Sequence, residues 1–300
     1  MSTKIWALIT FTILSQMSVG SFLVLGAVHF FAARKKSTEQ ADLLTDRALI
    51  GIIVALGLGF IASIFHLGNP VGATRAINHF ATSWLSREIT FGTSFALVAF
   101  IFIVLQWRKV STPTVRNAIA ILAGLIGLCF IFSMSNVYMI ETQLSWDTPL
   151  TPISFFTTAF LLGSLAVVFA LVLNYRFLKK KEPDCEEAQC ELMLEAVKWI
   201  SVVAIVLLGV ELVAGAIQAA YLSSLPQLDF LAGYGVLFAI RLSLVFIGAG
   251  VFGLFLYRNT SSSEAMMTLT TFALAAFGFV LIAEVMNRFL FYATQVQIGI

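Results

Sequence analysis

Apolar residues in this chain fall in long runs that no polar stripe divides. Eight of the runs are long enough to cross a bilayer, which takes about 20 apolar residues in a helix. They lie at roughly 5–33, 48–68, 89–107, 117–139, 152–175, 199–222, 232–257 and 265–292. The pattern predicts an all-α integral membrane protein, a bundle of eight transmembrane helices in a single polytopic domain over residues 1–300. The first run reads as a retained helix. Its apolar core is too long for a signal peptide, and its basic cluster Arg34-Lys35-Lys36 follows the core instead of preceding it. There is no internal repeat or low-complexity tract to suggest a second unit.

The polar segments between the runs predict the orientation. Arg34, Lys35, Lys36 and Arg47 follow the first run, and Arg108, Lys109 and Arg116 follow the third. Arg176, Lys179, Lys180, Lys181 and Lys198 follow the fifth, and Arg258 the seventh. The opposite side has only Lys4, Arg75, Arg87 and Arg288, while Arg241 lies within the seventh run. Basic residues collect on the cytoplasmic side, so both termini are expected outside the cytoplasm. On this map residues 179–195 form a charged cytoplasmic connector with room for a short amphipathic helix. Residues 69–87 form the longest outer loop.

Composition agrees: 59% of the 300 residues are hydrophobic and 11% charged, against about 25% charged in ordinary soluble domains. Too few polar groups exist to cover a soluble surface, and a net charge of +2 gives no case for nucleic acid. Cys129, Cys185 and Cys190 are too scattered for a disulfide framework or a zinc site, and they cannot hold an iron–sulfur cluster. Haem b needs two imidazoles at one depth. His29 falls near the inner end of the first helix, His66 near the outer end of the second, and His79 in the outer loop, so no haem is expected. Gly248-Ala249-Gly250-Val251-Phe252-Gly253 has the letters of a dinucleotide fingerprint. It lies inside an apolar run with no strand before it, so its small residues read as helix-packing positions. Asn259-Thr260-Ser261 matches a glycosylation sequon but falls on the cytoplasmic side.

Candidate chemistry gathers at the outer side. The second run closes on Phe60-Ile61-Ala62-Ser63-Ile64-Phe65-His66-Leu67-Gly68-Asn69-Pro70. Proline ends the helix, so His66 stands in its last turn, where hydrocarbon gives way to the interface. An imidazole there suits proton removal from a lipid-soluble substrate, and equally suits anchoring a helix end. Glu88 opens the third helix as a proton acceptor or as a helix cap. Glu211 and Arg241 have similar depths in the sixth and seventh helices and can pair. Glu284 and Arg288 are four apart on the eighth helix, within reach of each other. These four serve a proton path or structural ion pairs. The inner half shows almost no buried titratable group besides His29. No metal site and no covalent catalytic group is evident.

Several of these segments resemble the membrane anchor subunit of the bacterial dimethyl sulfoxide reductase family. The matches are Phe60-Ile61-Ala62-Ser63 with His66-Leu67-Gly68 and Pro70, then Ser86, Glu88 and Ile89, Thr151-Pro152 with Phe155-Phe156, Arg241, and Glu284 with Arg288 and Phe291-Tyr292. They span nearly the whole chain. The resemblance implies a non-catalytic, haem-free anchor of an oxidoreductase complex in the bacterial inner membrane. Such an anchor oxidises menaquinol and passes electrons to an iron–sulfur partner subunit beside a molybdopterin catalytic subunit. It holds neither cluster nor molybdopterin itself. It also implies that His66, Gly68 and Glu88 occupy quinol-site positions. The family arginine two residues after the proline is replaced here by Gly72, and Arg75 or Arg87 is the expected substitute. A different class of function remains open from the residues alone: a secondary transporter or ion channel using Glu211 and Arg241.

Overall fold

The computed structural model describes residues 3–66, 77–181, 187–259 and 266–297. Eight helices are long and apolar enough to cross a membrane. In chain order, α1 is Thr3–Lys35, α2 the short Thr38–Thr45, α3 Ala48–His66, α4 Trp84–Arg108 and α5 Pro113–Asn136. Then come α6 Leu150–Lys181, α7 Glu187–Ser223, α8 Phe230–Arg258 and α9 Met266–Ala293. The spans alternate in direction. The start of α1 and the end of α9 therefore share one end of the bundle, called here the termini end.

The ends of the helices follow local chemistry. Ser83 caps α4, its hydroxyl accepting the Ser86 N–H, and Thr112 caps α5 ahead of Pro113. Between these two helices Lys109 and Ser111 take left-handed backbone (φ 52° and 74°). That conformation usually goes to glycine. Lys109 is held in it by two carboxylates, its Nζ lying 2.6 Å from Asp42 Oδ2 and 2.7 Å from Asp46 Oδ2.

α1 and α6 form the buried centre, and the other helices surround them with apolar faces left outward for lipid, such as Ile61, Leu97, Ile121, Val206 and Val236. Without a hydrophobic force between helices in lipid, close approach depends on small residues. A Cβ built on Gly20 would lie 1.8 Å from the Ala159 carbonyl oxygen, and one on Gly163 would lie 2.4 Å from Gly20 C. The backbones of α1 and α6 touch there. α8 departs from α-helix over Phe246–Phe252, which is π-helical. This is where the fingerprint-like glycines fall. A Cβ on Gly248 would crowd Val280 and the Ala276 carbonyl of α9, so the glycines serve packing, as the sequence suggests.

Three expectations need correction. The charged segment 179–195 is mostly extension of α6 and α7, since α6 runs to Lys181 and α7 starts at Glu187. Lys35 of α1 braces it with ion pairs to Glu191 and Glu195. The sequence also hides α2, whose polar residues interrupt the hydropathy. α4 starts at Trp84, five residues before the apolar run at 89, because Ser83 caps a turn that hydropathy does not register.

Candidate functional site

α3 remains helical up to His66, which a proline four residues further on allows. Gly68, Gly72 and Arg75 lie outside the described residues. The described residues of the termini end form the frame around that segment.

Glu88 is the clearest change from the sequence reading. It stands one turn inside α4, not at its start, and Ser83 is the cap. The carboxyl is 7% exposed and has no hydrogen-bond or ion-pair partner among the described residues. A helix cap would be hydrogen-bonded and wet, so the capping role fails. Its neighbour Arg87 donates to the Phe80 and Ala81 carbonyls and stacks 4.1 Å over Trp84. Arg87 is thus occupied in holding the entry to α4.

Beside Glu88 the structure places two tyrosines that sequence reasoning passed over as site residues. The hydroxyls of Tyr138, just past α5, and Tyr292, near the end of α9, are 2.9 Å apart and buried. Burial, then Tyr292 and Glu88 nearby, hold the Tyr138 phenol well above its ordinary value. Trp146, Phe155 and Phe291 surround Tyr138. The segment between α5 and α6 closes over them. Trp146 Nε1 donates to the Phe291 carbonyl at 2.7 Å, and Tyr221 Oη donates to the Leu144 carbonyl at 2.7 Å.

The four intramembrane charges sit beneath this cap. Glu211 and Arg241 are 2% and 3% exposed and form a direct ion pair between α7 and α8. Glu284 and Arg288 do not pair, contrary to the expectation from their spacing. Arg288 donates to Gln16 Oε1 at 3.1 Å and lies 3.7 Å over the Phe155 ring. Glu284 Oε2 accepts from Thr158 at 2.7 Å and from Asn287 at 3.1 Å, and its other oxygen has no partner among the described residues. Spacing of four guarantees only reach; here α1 and α6 offer each group a nearer partner. Glu284 and Arg288 still act electrostatically on Arg241.

The sequence profile of the DMSO reductase anchor subunit (DmsC) matches residues 1–294. The chain belongs to that family. It is 30% identical over 293 residues to the C polypeptide of the anaerobic dimethyl sulfoxide reductase of Haemophilus influenzae, covering 97% of this protein and 95% of that one. It is 30% identical over 297 residues to the corresponding C polypeptide of Escherichia coli, covering 98% and 96%. A shorter likeness, 30% over 166 residues and half of each protein, joins it to the C polypeptide of the sulfite dehydrogenase of Allochromatium vinosum. It is therefore a multi-pass membrane protein of the anchor-subunit family, a family whose members associate with the catalytic and iron–sulfur subunits of their complex. That placement displaces the transporter or channel reading.

The opposite end holds a second polar cluster, which corrects the view that His29 stands nearly alone there. Asp42 of α2 is buried; it accepts from Gln106 Nε2 at 2.7 Å, pairs with Lys109, and lies 2.8 Å from His29 Nε2. Burial alone would raise the Asp42 carboxyl, but the hydrogen bonds from His29, Lys109 and Gln106 outweigh it and bring the pKa to about 2. Among the described residues no group of three or more His, Cys, Asp and Glu is arranged to hold a metal ion.

Proposed function

We propose that this chain is the quinol-oxidising anchor of a respiratory molybdopterin oxidoreductase in the bacterial inner membrane, with both termini outside the cytoplasm. Menaquinol binds at the termini end, against His66, Gly68, Glu88 and Arg75. The observation that carries this reading is Glu88: a nearly enclosed carboxyl with no partner among the described residues, at the end of the bundle where α3 finishes on a histidine. An unpartnered buried carboxyl is costly unless it serves a function.

Oxidation of a quinol to a quinone releases two protons and two electrons. His66 accepts a hydrogen bond from one ring hydroxyl and then its proton, the imidazole being the side chain that titrates nearest neutrality. Glu88 takes the second proton, and the Tyr138–Tyr292 pair supports the wall beside it. Both electrons leave to the iron–sulfur partner docked at that face, since the chain supplies no haem, cluster or molybdopterin of its own. The chemistry at the terminal acceptor belongs to the molybdopterin subunit.

The test separates quinol oxidation from assembly. His66→Arg keeps a polar, interface-compatible side chain but supplies no base, because arginine stays protonated. The variant complex should assemble and reduce substrate normally with a soluble artificial donor. Its quinol-dependent turnover should fall by about a hundred- to ten-thousandfold, the usual span for a positioned proton acceptor. Glu88→Gln should act in the same direction. An assembled His66→Arg complex oxidising quinol near the parent rate would return His66 to a helix anchor.

A further inference from the structure

At the end opposite Glu88, α1, α4 and α5 enclose a groove of about 510 Å³, a volume typical of sites for small organic ligands. Phe22, Phe102 and Leu125 make its walls apolar. Along α1 the wall is bare backbone at Gly26, where an added Cβ would meet nothing within 4 Å. A flat ring can lie against such a surface.

The polar end of the groove is built, not incidental. His29 lines it and is tied through Nε2 to Asp42, 2.8 Å away. An ionised carboxylate only accepts, so Nε2 carries the proton and Nδ1 keeps its lone pair. No described residue donates to Nδ1. Gln106 also lines the groove and spends its amide donor on Asp42 and Asp46, at 2.7 and 2.9 Å. Lys109 is likewise consumed by the two aspartates. The head of the groove is thus a hydrogen-bond acceptor backed by carboxylates, with its ammonium already neutralised. That chemistry disfavours a phosphate, which has nothing to donate, and suits a hydroxylated ring carrying an apolar tail.

We propose that this groove is a second binding site for a quinol, with a ring hydroxyl on His29 Nδ1, the ring against Gly26 and the isoprenoid tail between α1 and α5. The proposal rests on the reading that the protein works with a lipid-soluble quinol, but it concerns a separate molecule. Glu88 and Gln106 lie 18 residues apart on α4, about 27 Å at 1.5 Å per residue, and one ring cannot serve both ends. The molecule here is bound and not turned over by this site.

The experiment is photolabelling of the whole complex, in its membrane, with a tailed azido-naphthoquinone, followed by peptide mapping. Label is expected in two places: residues 60–90, and residues 23–34 or 117–128. Gly26→Phe fills the groove without meeting a neighbour and should remove the second set while leaving the first. His29→Leu should lower the second set about tenfold, the worth of one hydrogen bond at a desolvated site; Asp42 keeps Lys109 and Gln106, so the fold has no reason to fail. Absence of the second set from the parent complex overturns the proposal, as does its persistence in Gly26→Phe. So does native mass spectrometry showing a phospholipid that Gly26→Phe displaces. Loss of label from residues 60–90 alone strikes the site at the termini end and leaves this one standing.

Discussion

Removing the two halves of the Glu211–Arg241 pair one at a time should not cost the same. Arg241→Leu strands a buried carboxylate, and a carboxylate can escape by taking a proton. From an ordinary carboxyl value of about 4.3, protonation at pH 7 costs about 3.7 kcal/mol at 1.36 kcal/mol per pH unit. That cost caps the loss. Glu211→Leu strands a guanidinium, which does not deprotonate in proteins. Its loss should reach the upper part of the range of about 3–5 kcal/mol seen when a buried pair is broken. Glu284, which acts on Arg241 electrostatically, keeps it from going further. At pH 5 the cap on Arg241→Leu drops to about 1 kcal/mol, while the cost of Glu211→Leu is unchanged. The double change places leucine against leucine and should recover most of both losses. The assay is detergent unfolding of the purified complex at pH 7 and pH 5, for parent, both single variants and the double, each compared with parent at the same pH. If Arg241→Leu loses as much at pH 5 as at pH 7, or if the two single losses simply add in the double variant, the pair does not work as described.

Other parts of the fold carry further expected outcomes. Gly20→Ala would put a Cβ 1.8 Å from the Ala159 carbonyl, forcing α1 from α6 at a cost of about 1–3 kcal/mol or more; Gly57→Ala meets nothing within 4 Å and should leave thermal stability equal or slightly higher. A reporter after Ile300 should be active outside the cytoplasm and one near Lys180 inside, and the reverse pattern would move the His66 end to the cytoplasmic face. Asp42 is held at about 2 against an ordinary 3.8, which corresponds to about 2 kcal/mol of stability. Because its folded value is depressed, that stability is fully present above pH 3.8 and is lost as pH falls towards 2. Thermal unfolding of the parent should therefore weaken across that window, and Asp42→Asn should flatten the change.

The spans were legible because the bilayer demands long apolar runs and tolerates little else. The pairing of Glu211 with Arg241 was also legible, since two unlike charges at one depth in hydrocarbon have few alternatives. Glu88 was visible as a residue but not as a buried one, because the hydrophilic turn from Ser83 that carries it inward leaves no mark in hydropathy. Tyr138 and Tyr292 could not be foreseen as a pair: they are 154 positions apart, and nothing local distinguishes a tyrosine at a helix end from an interfacial one. Glu284 and Arg288 misled for the opposite reason. A local spacing rule identified a neighbour, but in the centre of the bundle Gln16 and Thr158 on other helices decide the partner.

The π-helical stretch Phe246–Phe252 makes α8 a length gauge. On its first side Arg241 must point at Glu211 of α7; on its second, Leu256 is fully buried and Gly253 faces Ile205. Each residue added to or removed from a helix turns everything beyond it by about 100° and slides it by about 1.5 Å. A π segment is an α-helix with extra chain wound in. Deleting one residue from 246–252 would let the helix tighten, and α8 would then keep either its charge pair or its seat against α7 and α9, not both. The count of residues between Arg241 and Leu256 is thus under tighter constraint than their identity, and a point substitution there should be far better tolerated than a one-residue deletion.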